Sequence, residues 1–283
     1  MKKLATAIAV IALIGTPAFA ADMAVKAPPP APAPVPVYNW TGWYIGGNVG
    51  VGWADRDVTF APNDPAASSF LTRTLPPPMS FNTEGAVGGA QFGYNWQFQP
   101  NWLVGFETDF DWSGMKGSST VFITAIPPIA GLWTTDEHIK WFGTVRGRLG
   151  WLPLPNLLVY GTGGFAYANV ERSANYTFTA PNFGIGFVGP FGFQCGLGAV
   201  NPCFAGSSHQ TLTGWTAGGG LEYALTQQWS VRGEYLYVSL DNKPLTETAS
   251  SFANGSTAPA SFNAVFNHTN FNLVRFGLNY QFH

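Results

Sequence analysis

The sequence predicts an all-β protein, an eight-stranded antiparallel transmembrane β-barrel with long extracellular loops and short periplasmic turns. Three observations predict it. Apolar residues recur with a period of two in eight segments. After the first twenty residues no apolar run reaches the roughly 18 residues that a helix needs to cross a bilayer. The connections between segments alternate between short and long. Composition agrees: of 283 residues only 10% are charged, 16% are aromatic and 34 are glycine. In hydrocarbon every backbone N–H and C=O must find a partner within the protein, which only helices and closed barrels achieve. Without an apolar helix, the barrel remains. The formal net charge of −2 offers no basic footprint, which sets nucleic acid aside as a partner.

The chain opens with a leader, expected over residues 1–20. Lys2 and Lys3 precede an apolar stretch from Leu4 to Ile14, and Ala18-Phe19-Ala20 supplies the small residues that signal peptidase reads. Residues 21–37 follow, with prolines at nearly every second position from Pro28 on; they hold an extended polyproline conformation that packs no core. This stretch is read as a periplasmic tether and residues 38–283 as the barrel domain, with peptidoglycan a candidate partner of the tether.

The first strand puts Trp43, Ile45, Val49, Val51 and Trp53 on one face and Tyr44, Asn48 and glycines on the other. In a membrane barrel the apolar set faces lipid and the small or polar set faces the lumen. The second has Ala86, Ala90, Phe92, Tyr94, Trp96 and Phe98 facing lipid. The third interleaves Trp102, Val104, Phe106, Phe110 and Trp112 with Glu107, Asp109 and Asp111. The fourth places Ile139, Trp141, Val145, Leu149 and Trp151 outside and Lys140, Arg146 and Arg148 inside. The fifth, Leu157 to Val170, turns Leu158, Tyr160 and Val170 outward. The sixth turns Trp215, Leu221, Tyr223 and Leu225 outward and leaves Glu222 inside. The seventh sets Trp229, Val231, Tyr235 and Tyr237 against Arg232 and Glu234. The eighth sets Val274, Phe276, Leu278, Tyr280 and Phe282 against Arg275, Asn279 and Gln281. Trp43, Trp53, Trp102, Trp112, Trp151 and Trp229 fall near strand ends, where an aromatic ring with a polar edge suits the membrane interfaces.

Short connections are expected near Gln99–Asn101, Pro153–Asn156 and Thr226–Gln228, and long ones over about Asp55–Thr83, Gly114–Asp136, Glu171–Gln210 and Asp241–Thr269. With an even number of strands both ends of the barrel fall on the periplasmic side. Cys195 and Cys203 lie in one glycine-rich segment and are expected to form a disulfide in an oxidising compartment. No second cysteine pair or histidine cluster completes a metal site, so neither metal nor cofactor is expected.

At Tyr38 to Trp53 (YNWTGWYIGGNVGVGW), Leu158 to Val170 (LVYGTGGFAYANV) and Val274 to Phe282 (VRFGLNYQF), the sequence resembles the alphaproteobacterial outer-membrane immunogenic protein family, a porin-like group with OmpA-type barrels. The resemblance implies a surface barrel of the outer membrane with antigenic loops and a role in envelope integrity, in contact with outer-membrane lipid and lipopolysaccharide. The closing Tyr280-Gln281-Phe282 is similar to the carboxy-terminal signal read by the barrel assembly machinery, from which His283 departs by one residue.

Function is expected in the lumen and loops. Glu107, Asp109, Asp111, Lys140, Arg146, Arg148, Glu222, Arg232, Glu234 and Arg275 form an inward set of five acids and five bases. Eight strands leave an interior just wide enough for side chains, so this set is read as a charge network that plugs the barrel. The alternative is a narrow porin-like path for small ions or solutes. Catalysis is not expected: His138, His209 and His268 approach the rim, but no Gly-x-Ser-x-Gly elbow accompanies them. Phe183 to Phe204, glycine-rich and apolar, is read as packing over the barrel mouth.

Overall fold

The computed structural model describes residues 38–64, 78–126, 129–178, 204–241, 243–249, 261–266 and 269–282. The leader, the proline-rich stretch, Cys195, Cys203, His268 and His283 lie outside the described residues. Ten strands occur among them: β1 (Gly42–Pro62), β2 (Met79–Gln99), β3 (Trp102–Ile126), β4 (Ile129–Leu154), β5 (Leu157–Phe178), β6 (Phe204–Ala224), β7 (Trp229–Leu240), β8 (Leu245–Ala249), β9 (Ser261–Phe266) and β10 (Thr269–Phe282). Strands β1 to β7 pair antiparallel in sequence order, and β10 closes the ring between β7 and β1. Its two edges run from Tyr280 opposite Trp229 and from Phe282 opposite Trp43. Eight antiparallel strands therefore form the membrane ring, with no free edge.

Above that ring β7 and β10 stop, and the β8–β9 hairpin takes their place in the wall. β9 continues along β1 from Val58–Phe266 to Pro62–Phe262, and β8 meets β6 at Phe204–Ala249. Strand length explains why a second closure is needed. A tilted strand crosses a bilayer in about 9–11 residues, whereas β3 and β4 have 25 and 26. The strands thus run on into the stretches read as long connections, and those connections are shorter than expected.

The hydrophobic pattern inverts where a strand leaves the membrane. In β1, Ile45, Val49, Val51 and Trp53 are exposed to lipid. Immediately beyond, Ala54 and Val58 are buried in the lumen while Asp55 and Asp57 face out. The backbone keeps its period of two throughout; only the solvent outside has changed from hydrocarbon to water.

Two orientations differ from the sequence reading. Leu158, Tyr160 and Val170 of β5 are buried inside, and Phe165 is the exposed ring. Leu158 stands opposite inward Glu222 on β6, and paired residues share a face of the sheet. The glycines at 161 and 163 interrupt the outer face of β5, and Gly164 leaves a gap on its inner face, so neither face is marked by an unbroken row of large side chains. In β4 the register shifts between Ile139 and Trp141, a bulge that exchanges the two faces. Ile139 is consequently buried inside, and Lys140 lies on the outer surface rather than in the lumen.

Candidate functional site

The described lumen is filled by side chains in five layers, which follow one another in the same order along β1 and β4. The floor, at the short-turn end, joins Tyr38, Trp40, Leu103, Leu152, Leu158 and Tyr160. Trp40 donates its indole N–H to the carbonyl of Pro155 at 3.0 Å, and the Tyr38 hydroxyl donates to Gln281 Oε1 at 2.6 Å. The residues just before β1 are thereby tucked under the barrel.

Above the floor lies the charge layer. Arg146 reaches Glu107 at 2.5 Å, Asp109 at 2.8 Å and Glu234 at 2.9 Å. Arg275 reaches Asp109 at 2.6 Å, Asp111 at 2.8 Å and Glu234 at 2.8 Å. Arg232 pairs with Glu107, and Arg148 with Glu222 at 2.7 Å. Charge-assisted bonds of this kind are strong where water is excluded, and every one of these side chains is buried. Neutral groups complete the web. Tyr44 donates to Glu107 and Tyr160 to Glu234; Asn48 donates to Gln91, Gln91 to Asn279, and Asn279 to Glu222. Arg148 also stacks 3.9 Å from the centre of the Tyr160 ring. All eight membrane strands contribute to this one network.

Close approach at Gly93 makes room for it. A Cβ there would collide with the Tyr44 hydroxyl and the Phe106 carbonyl, so only glycine lets the phenol lie flat and reach Glu107.

The third layer is apolar: Val87, Met115, Ile139, Phe142, Leu236, Phe271 and Leu273 pack across the lumen among others. The fourth is a second, smaller charge cluster. Glu137 accepts from Arg56 at 2.5 Å and from Arg172 at 2.9 Å. Arg56 also donates to the Asn270 carbonyl at 2.6 Å, and Arg172 lies 4.3 Å from the centre of the Phe266 ring. The fifth layer, Trp133, Tyr176, Phe204, Phe262 and Phe266 with aliphatic neighbours, fills the top of the described wall.

Nine of the ten residues read as the inward charge set are brought together in the lower layer, and Lys140 is not. That layer then holds five carboxylates and four guanidinium groups. Sequence reasoning missed Arg56 and Arg172, which fell in stretches read as loops, and Glu137, which fell between the stretch ending at Asp136 and the fourth strand. The signal was present in β1, where Tyr44, Asn48, Ala54, Arg56 and Val58 share one parity. Counting both layers, six carboxylates face six guanidinium groups among the described buried residues, and the lumen is neutral as a whole.

Of the rim histidines, His138 and His209 lie on the outer face. His209 Nδ1 is 3.0 Å from Glu171, and no serine hydroxyl bonds to His209 among the described residues. Tyr280 and Phe282 face outward on β10, where Phe282 is exposed and packs edge-on against Tyr280.

The family model of the outer membrane protein beta-barrel domain matches residues 6–282. The chain is 34% identical over 274 residues to the 31 kDa outer-membrane immunogenic protein of Brucella melitensis, covering 96% of this chain and 97% of that protein. It is 28% identical over 174 residues to the 22 kDa outer membrane protein of Rhizobium leguminosarum bv. viciae, covering 62% of each. Among solved structures, the outer membrane protein OprG from Pseudomonas aeruginosa is 12% identical with a TM-score of 0.42, covering 87% of this chain and 98% of that one.

Proposed function

The chain belongs to the outer membrane protein beta-barrel domain family, and from that membership we propose that it is a structural surface barrel whose lumen is closed to solutes. The observation that carries the reading is the lower charge layer, in which nine ionised side chains from five strands pair with one another across the full width of the barrel. A water path would have to part these pairs and leave buried charges without partners, at several kcal/mol for each ion. It would then meet two apolar layers, where no ion finds a ligand.

On this reading the membrane ring anchors an outward-reaching cylinder that stiffens the envelope, and the parts beyond the membrane are the antigenic surface. Relatives are named for immunogenicity and not for an enzymatic activity. The aromatic end of β10, with Tyr280 and Phe282 outward, serves as the segment that the assembly machinery reads.

The test is single-channel conductance of the refolded protein in a planar bilayer, beside an Arg146→Ala variant. A silent wild type is the expected result. A steady wild-type conductance whose size or ion preference changes in Arg146→Ala would overturn the closed lumen in favour of a narrow charged channel.

A further inference from the structure

The outer face of β3 to β6 carries a polar cluster that the lumen reading does not use. Lys116, His138, Glu171 and His209 stand opposite one another on successive strands. Ser118, Asp136, Ser173 and Ser207 form the next row. Together they line a concavity of about 630 Å³. It begins at the outer aromatic girdle: Lys140 directly follows Trp141 toward the cell exterior, His138 is three residues beyond Trp141, and Lys116 is four beyond Trp112. At about 3.4 Å per residue on a strand tilted by about 40°, these groups stand up to roughly 10 Å above the ring plane. That is the level of lipid headgroups.

The carboxylates of the cluster are occupied. Glu171 accepts from Lys140 and from His209, each at 3.0 Å. The hydrogen bond from Lys140 holds the Glu171 carboxyl below its ordinary range, so it remains an anchor for the lysine. Asp136 accepts from the Ser173 hydroxyl at 3.1 Å. Lys116 stands opposite Glu84 and His138 in register, yet it makes no ion pair among the described residues. The Lys116 ammonium, with no ion pair among the described residues, a second lysine held in place by Glu171, the His138 imidazole and the Ser118 and Ser207 hydroxyls therefore stand together at headgroup height.

We propose that Lys116, His138 and Lys140 bind the phosphate of a phosphorylated glycolipid of the outer leaflet, with the serines of the next row meeting its sugar. The ammonium groups supply charge-assisted bonds to the phosphate oxygens, and the aromatic girdle below takes the upper ends of the acyl chains. The site is independent of whether the lumen conducts.

The test uses the full-length refolded protein in an uncharged detergent, with bound lipid read by native mass spectrometry. The probes are diphosphoryl lipid A, the same lipid stripped of phosphate, and inorganic phosphate. Wild type is expected to retain diphosphoryl lipid A at least tenfold better than the stripped lipid, and Lys116→Ala/Lys140→Ala to lose that preference. Lys116→Arg/Lys140→Arg is expected to keep it, as is the control Lys243→Ala. Both lysines are exposed, and an unchanged heat-shifted gel band for each variant establishes that the barrel has folded. Equal retention of the two lipids by wild type, or an alanine variant that keeps the preference, would overturn the proposal. So would inorganic phosphate that displaces the lipid at equal concentration, because the site would then be one for free anions.

Discussion

Replacing Arg275 with methionine removes the guanidinium that joins three carboxylates at the centre of the lower charge layer. Two of them keep another partner: Asp109 retains Arg146, and Glu234 retains Arg146 at 2.9 Å. Asp111 retains none, since its one ion pair among the described residues is the 2.8 Å contact to Arg275. At such a distance and an effective dielectric near 20, each contact contributes about 6 kcal/mol of attraction, most of it offset by the desolvation of both ions. The net cost of orphaning a buried partner is about 3–5 kcal/mol. Arg275→Met is therefore expected to destabilise the barrel by that amount, measured by urea titration of protein folded into phosphatidylcholine vesicles and followed by tryptophan emission. Adding Asp111→Asn should recover about 1–3 kcal/mol, because the amide leaves no unpaired charge behind. A single variant within about 1 kcal/mol of wild type would mean that water reaches Asp111, and the closed lumen would fall with it. A double variant no better than the single one would refute the assignment of the cost to Asp111.

Three further predictions concern particular positions. Cysteine placed at Lys140 should react with a membrane-impermeant maleimide in intact vesicles, whereas cysteine at Ile139 should not; the reverse would remove the bulge in β4. Gly93→Leu should drive Tyr44 off Glu107 and cost about 1–3 kcal/mol in the same urea titration, with Ala90→Leu, on the lipid face, close to neutral. Trp40→Ala should empty the floor of the lumen and cost about 3–5 kcal/mol, and an unchanged midpoint would show that the segment before β1 does not hold the floor together.

The membrane ring was legible because lipid makes a strict demand: charges are excluded from the outer face, so the alternation of Trp, Phe and Val with Glu, Asp and Arg in β3, β4 and β7 can be read directly. It failed where that demand was weak or displaced. In β5, Gly161 and Gly163 interrupt the outer face, whose rings are Phe165 and Tyr167, so parity came from pairing with β6. At Ile139 a bulge reset the count, which no periodic pattern records. Beyond the membrane, water surrounds the wall and the apolar residues turn inward, as Val58, Met79, Phe81 and Trp133 do. A stretch there mixes polar and apolar residues as a surface loop does, and Arg56, Glu137 and Arg172 were hidden in it. The lower charge layer was visible as a composition of one face. Its wiring was not, because which acid meets which base depends on the stagger of strands around the ring.

The wall that continues past the bilayer also acts as a ruler. Adding two residues to every strand preserves which side chains point inward, and at a tilt near 40° it lifts the outer rim by about 5 Å. Adding one residue would instead exchange the two faces and bring the core to the surface. The height at which such a barrel presents its tip can therefore change only in even steps. Those steps, taken without altering the membrane ring, let one scaffold be matched to saccharide coats of different thickness.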